Sequence, residues 1–277
     1  MADSVPKYLQ IAKDLRTQIE SGKLAVGAQL PTEKELADRW DASPNTIKKA
    51  LNELRMDGRV ETIPPTGSFV TAADQPFIIT LNHADLGDEH APGPGFGGGE
   101  GRAFEAEAER QKHEAVSSQP EVKVQDAENF HLEAFGIPPS PAGQLRPQIV
   151  RRSQERYLDG KPNSLQHSYF RLELALEARL LLNSADIAEG TVAYLRECGH
   201  VQTGYEDVFN ARPPTAEERR FFGLSKDSLA VIEHTRTAYN QNGEPFRLTI
   251  TVYKPGANLI RFIAGQVPDD VWDKGSS

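Results

Sequence analysis

Two helix starts lie back to back between Leu30 and Leu54, in the segment LPTEKELADRWDASPNTIKKALNEL, and few folds accommodate that spacing. Thr32 with Glu35 fits a capping box, so a helix is predicted to begin just after Thr32. Leu36, Ala37 and Trp40 give it an apolar side. Asp41-Ala42 breaks it, and Ser43-Pro44 starts another, with Ser43 as the cap and Pro44 at the first helical position. Ile47, Ala50, Leu51 and Leu54 then recur at helical spacing and face a core. That leaves Asn45, Thr46, Lys48, Lys49 and Asn52 outside, with no acidic residue between Ser43 and Asn52. Amides, hydroxyls and amines on one face can bond both phosphates and base edges. The same pattern fits an ordinary helical hairpin with a solvated polar face.

The flanks separate these readings. Upstream, Tyr8, Ile11, Ala12, Leu15 and Ile19 form an apolar stripe on a helix ending near Ser21-Gly22. Downstream, Gly58 stops the second helix of the pair, and Arg59–Ile63 and Ser68–Val70 read as strands around Pro64-Pro65-Thr66-Gly67. Three helices and a hairpin make a winged helix-turn-helix, whose third helix enters the major groove. Tyr8-Leu9-Gln10-Ile11, Gly27 to Glu33, Glu35-Leu36-Ala37, Asn45-Thr46-Ile47, Lys49-Ala50-Leu51, Leu54, Asp57-Gly58 and Gly67-Ser68-Phe69-Val70 together resemble the N-terminal domain of GntR-type bacterial transcription factors. The resemblance implies DNA contacts at Lys34, Ser43, Asn45, Thr46, Lys48 and the wing-tip pair Thr66-Gly67. Two departures stand out: Pro44 replaces a frequent arginine, and the wing tip has prolines where relatives have basic residues. Proline offers no backbone N–H to a phosphate.

The chain carries a formal net charge of −9. Met1–Ala73 holds ten basic and ten acidic residues, so the rest carries the whole deficit. A neutral module whose phosphate attraction rests on Lys34, Lys48 and Lys49 binds weakly alone and is sensitive to salt. Pairing two modules on an inverted repeat restores affinity, so a homodimer on double-stranded DNA is expected. The single cysteine, Cys198, forms no intrachain disulfide and is expected as a buried, inert thiol in a helix. No signal-like start or membrane-length apolar run is seen, which predicts a cytoplasmic protein with no membrane partner.

Six glycines fall among the nine residues Gly93–Gly101, and the span 75–112 reads as a flexible linker holding a short strand, Phe77–Leu81, and a transient helix, Ala103–His113. From about His113 strands alternate with helices. Leu145–Tyr157 and Lys161–Phe170 flank the turn Asp159-Gly160, and Leu172–Leu182 and Thr191–Glu197 read as helical. Gln202–Asn210, Leu229–Tyr239 and Pro245–Tyr253 are further strands, with a capped helix over Thr215–Gly223. The pattern predicts an α+β domain with an antiparallel sheet.

Val150-Arg151-Arg152, Asp159 to Pro162, Ser168-Tyr169-Phe170, Ala211 to Glu218, Arg236 to Tyr239, Asn242 to Pro245 and Val252-Tyr253 resemble the UTRA effector-binding domain of the HutC branch of the same family. That resemblance implies a chorismate-lyase-like fold. The expected division is a DNA-binding domain at 1–74, the linker, an effector-binding and dimerisation domain at 113–270, and a tail at 271–277.

Arg152, Gln154 and Arg156 alternate and share one strand face, an arrangement suited to an anionic group or, equally, to surface ion pairs. Gln166 lies on the return strand, Thr191 opens a helix, and Thr249 and Thr251 share a face of the last strand. Gln154, Gln166 and Thr251 stand where relatives that bind sugar phosphates commonly offer charged groups, which points to a less charged effector. The histidines lack metal-ligand spacing and no nucleophile motif occurs, so neither metal, cofactor nor catalytic residue is assigned. Two functional classes follow. One is an effector-responsive transcription regulator, expected to act as a repressor. The other is a chorismate-lyase-like enzyme carrying an accessory winged helix, which would not need its N-terminal domain for activity.

Overall fold

The computed structural model describes residues 5–56, 58–63, 65–71, 76–81, 100–141, 143–224, 228 and 230–262. The chain divides into two compact units, Met1–Pro76 and Phe77–Ser277.

In the first unit α1 (Lys7–Glu20), α2 (Glu33–Trp40) and α3 (Pro44–Met56) precede a hairpin of β1 (Val60–Ile63) and β2 (Gly67–Val70). Ile11, Leu15, Leu36, Ile47, Leu51 and Leu54 bury their side chains in one core, the stripes that the sequence spacing predicts. Thr32 caps α2: its hydroxyl accepts from the Glu35 amide at 3.3 Å, and the Glu35 carboxylate accepts from the Thr32 amide at 2.7 Å. The helix ends at Asp41, whose φ of 44° lies in the left-handed region that a short polar residue tolerates. Without the Thr32 hydroxyl the Glu35 amide loses its side-chain acceptor at the start of α2. Thr32→Ala is therefore expected to lower stability by about 1 kcal/mol, read from urea unfolding of the full chain.

The wing is tied down from two sides. Residues 27–30 pair with β2 through Gly27 N–H to Val70 O and Leu30 N–H to Ser68 O, both 2.8 Å. The Gln29 amide donates to Thr66 O at 2.7 Å. Gly67, at φ 134°, makes the turn out of the wing tip in a conformation that side chains disfavour. Arg55 at the end of α3 donates to Thr62 Oγ1 at 2.8 Å, which links helix to wing.

The second unit is built on a seven-stranded sheet in the order β4-β6-β7-β10-β9-β8, with β5 also pairing β6. Its strands are β4 (Ala115–Ser117), β5 (Glu121–Asp126), β6 (Gln148–Leu158), β7 (Lys161–Arg171), β8 (Gln202–Arg212), β9 (Val231–Asn240) and β10 (Pro245–Tyr253). All these pairings are antiparallel. Asp159 and Gly160 both take positive φ, as the tight turn between β6 and β7 demands. One face packs on α5 (Asn129–Ala134) through Ile149, Tyr169 and Leu248, and on α8 (Ala216–Phe222) through Leu165 and Val252. The other face meets α6 (Leu172–Glu177) and α7 (Thr191–Glu197) through Val150, Phe170, Ala238 and Phe246. The stretch predicted as one helix to Leu182 is α6 followed by a 3-10 turn over Arg179–Leu182. Cys198 is half-buried at the end of α7. Arg212 joins Glu218 and Glu233 at 2.6 Å each, pinning the start of α8 to the sheet.

The span read as a linker contributes two packed elements to this unit. β3 (Phe77–Thr80) pairs in parallel with β11 (Asn258–Arg261), and α4 (Glu100–Arg110) buries Phe104 and Ala108 against Phe77. The glycines at 93–99 and the tail at 271–277 lie outside the described residues. Among the described residues no helix is long and apolar enough to cross a membrane.

Candidate DNA interface and effector cavity

On the first unit, Lys34, Ser43, Asn45, Lys48, Lys49 and Thr66 are exposed, and Thr46 and Gly67 are half-buried. The Ser43 hydroxyl accepts from the Thr46 amide at 3.2 Å and shares a 2.8 Å hydrogen bond with Thr46 Oγ1, so both hydroxyls help to hold the first turn of α3. Lys34 and Ser43 line one shallow concavity between α2 and α3, together with Glu33, Asp38 and Asp41. Those carboxylates work against phosphate there. Lys48 and Lys49 lie exposed on the outer side of α3, away from those carboxylates' concavity.

In the second unit the strand registers place Arg152, Gln154 and Arg156 of β6 on the same face as Gln166 and Ser168 of β7 and Arg247, Thr249 and Thr251 of β10. This central part of the sheet is polar and yet buried, an uncommon combination that needs a chemical reason. Part of the reason is internal. Arg152 donates to the carbonyls of Leu180, Leu181, Asn183 and Ala185, which pins the loop after α6. It does not line the cavity. Thr249 and Thr251 do not line it either: both are buried, and Thr249 lies within hydrogen-bonding distance of Ser168 and Arg247.

What remains is a cavity of about 120 Å³. Gln154, Arg156, Gln166 and Ser168 form its floor with Arg247; Thr191 and the loop before α7 form one wall; Glu100, Gly101, Arg102 and Glu105 of α4 form another. Of the predicted effector residues it brings together Gln154, Arg156, Gln166 and Thr191.

The charges around this cavity are unequal in their partners. Glu100 pairs with Arg247, and its carboxylate lies 3.9 Å from Arg236. Arg236 is held by Asp207 at 2.6 Å and stacks over the Tyr205 ring at 3.9 Å. Asp207 also meets His234 at 2.8 Å. Arg156 has no such acid. It is 4 % exposed, and its Nε and Nη2 atoms find no hydrogen-bond partner among the described residues. Burial pushes its proton affinity down, with the carboxylates nearby opposing. A guanidinium keeps its proton under such conditions, so Arg156 is a buried, incompletely satisfied cation. Gln166 Oε1 and Glu100 Oε1 are likewise buried acceptors without a donor.

Burial alone would raise the Glu100 and Asp207 carboxyls. The charges of Arg247 and Arg236 outweigh it at Glu100, and hydrogen bonds from Arg236 and His234 outweigh it at Asp207, holding each at about 2. Both folded values lie below the ordinary carboxylate range, so their stabilisation is complete above about pH 4.5 and is lost as pH falls toward 2. Urea unfolding of the full chain is expected to show a midpoint that drops across that window. Asp207→Asn should flatten the lower part of the profile.

A winged helix paired with a sheet domain that keeps an unsatisfied buried cation defines a DNA-binding protein with a small-molecule site. Residues 7–70 match the family described as bacterial regulatory proteins, gntR family, and residues 144–257 match the UTRA domain. The chain belongs to the GntR family of transcription regulators and has the HutC-like architecture; it is a regulator and not an enzyme. It is 23 % identical over 253 residues to the HTH-type transcriptional repressor NagR of Bacillus subtilis, covering 90 % of this chain and 91 % of that protein. It is 35 % identical over 68 residues to the arabinose metabolism transcriptional repressor of Geobacillus stearothermophilus, a match covering 24 % of this chain and 19 % of that protein. The crystal structure of PhnF from Mycobacterium smegmatis shares the fold, with a TM-score of 0.54 at 17 % identity over 93 % of this chain and 100 % of that one.

Sequence reasoning missed Glu100, Arg236 and Arg247 as neighbours of the cavity. Arg247 was within reach, because it alternates with Thr249 and Thr251 and so shares their face. Glu100 gives no local signal, since it follows directly on the glycine tract.

Proposed function

We propose that the protein is a cytoplasmic homodimeric repressor that places two copies of α3 on an inverted-repeat operator and releases it when a small anion occupies the effector cavity. Lys34, Ser43, Asn45, Thr46, Lys48, Lys49, Thr66 and Gly67 form the DNA surface in this reading. Gln154, Arg156, Gln166 and Thr191 hold the effector. The carrying observation is Arg156, a buried cation with two N–H-bearing atoms lacking partners beside a polar cavity. The other cations of the lining have acids, Arg247 paired with Glu100 and Arg102 with Glu105, and the exposed Asp186 adds a further carboxylate. One open cation in such a lining suits a ligand with a single acidic group and hydroxyl or amine donors. The donors would satisfy Gln166 Oε1 and Glu100 Oε1. Dimerisation is supported by the even charge balance of the first unit, which leaves one module with few phosphate contacts.

The test is a thermal-shift panel of small phosphorylated, carboxylated and uncharged metabolites on the full chain. Anionic members are expected to raise the melting temperature. Stabilisation by uncharged members alone would exclude an anion site.

A further inference from the structure

Arg156 touches the helix that forms one wall of its cavity, and that helix is fastened to the strand that follows the DNA-binding unit. The Arg156 guanidinium lies 5.3 Å from the centre of the Phe104 ring of α4. Phe104 in turn meets Phe77 edge-on, with ring centres 5.5 Å apart. Phe77 is the first residue of β3 and of the second unit.

The hold of α4 on β3 is also polar. Gln111, just past α4, donates to Ile78 O at 2.8 Å and accepts from the Ile78 amide at 2.9 Å. Glu107 accepts from the Thr80 amide at 3.2 Å. These side chains serve backbone groups of β3 that the parallel partner β11 leaves open, so α4 takes the place of a neighbouring strand. At its other end α4 brings Glu100 to Arg247 and Arg102 to the Ala188 carbonyl, both at the cavity. The same helix therefore faces the ligand space and the entering chain.

We propose that α4 is the sensing element of the effector domain: an anion bound at Arg156 fixes α4 as the cavity wall and thereby tightens its grip on β3, the strand continuous with the DNA-binding unit. The inference rests on the anion-site reading above. Two features set its direction. Glu100 is already neutralised by Arg247, whereas Arg156 is open, so an anion gains more at Arg156 than by displacing Glu100. Arg102 on the α4 wall is paired with Glu105 at 3.6 Å and bonded to the Ala188 carbonyl, so an anion at Arg156 leaves the contacts of the docked helix in place and occupancy selects that arrangement.

Hydrogen exchange of the full chain, with inorganic phosphate as the probe and chloride of equal ionic strength as the control, tests this. Calorimetry on the same samples reports binding. With saturating phosphate, amides in 77–81 and 100–111 are expected to exchange about tenfold more slowly. Gln111→Ala removes both bonds to Ile78 at a half-exposed position distant from the cavity lining. It should bind phosphate with unchanged affinity, keep the slowing at the start of α4 and lose it in 77–81. Phosphate binding with no slowing in 77–81, or full slowing there in Gln111→Ala, overturns the sensing role and leaves the anion site standing. No phosphate binding by the wild type overturns the anion-site reading, and this inference with it.

Discussion

Arg156→Met is expected to give a protein that is more stable than the wild type and no longer binds small anions. The two effects have one cause. Arg156 is buried with two of its nitrogens unpartnered, so the folded state bears a desolvation cost that the nearby carboxylates and the Phe104 ring offset only in part. Methionine fills a similar volume, keeps a favourable contact with the Phe104 ring and removes the charge. Apolar replacement of buried ionic groups stabilises by about 1–4 kcal/mol in comparable cases. For a domain of this size each kcal/mol raises the melting temperature by roughly 2–4 °C. Anion binding, read by calorimetry, should fall below detection. A variant less stable than the wild type would mean that Arg156 is satisfied within the fold and is a structural residue. Sites of this kind hold strain that only the ligand relieves, which is why stability and function oppose each other there.

Lys48→Ala is expected to weaken operator binding about a hundredfold while leaving the domain folded. Lys48 is exposed on α3 and contributes nothing to the buried core. A charge-assisted contact to phosphate is worth about 1.5–3 kcal/mol, and the proposed dimer would lose it twice. Two copies at the low end give about 3 kcal/mol, or two orders of magnitude. The salt dependence supplies a second readout, because each lost phosphate contact lowers the slope of log affinity against log salt by about one. An unchanged affinity with an unchanged slope would remove Lys48 from the DNA surface.

The first unit was legible almost to the residue. Its signals are local: the Thr32–Glu35 box, the Ser43-Pro44 start and the heptad-like spacing of Ile47, Leu51 and Leu54 each specify an element, and the core buries the predicted side chains. The second unit was legible in its long strands, because Asp159-Gly160 and Asn242-Gly243 mark turns, whereas no Asp-Gly or Asn-Gly pair flanks the short β4, β5 and β11. The cavity was legible only in part. Alternation along β6 places Arg152 and Arg156 on one face, yet it cannot tell what covers each. Backbone carbonyls of the loop at 180–185 enclose Arg152, and the Phe104 ring lies by Arg156. These partners are distant in sequence. The packed state of α4 was hidden for the same reason: its apolar residues are few, and their partner Phe77 lies across the glycine-rich stretch.

The most direct measurement is a selection of bound fragments from genomic DNA with the purified protein at moderate salt, run beside Lys48→Ala. The wild type is expected to enrich a short inverted repeat, and the variant to lose it. Enrichment of unrelated sequences by both proteins, or of none by either, would contradict a sequence-specific regulator that reads its operator through α3.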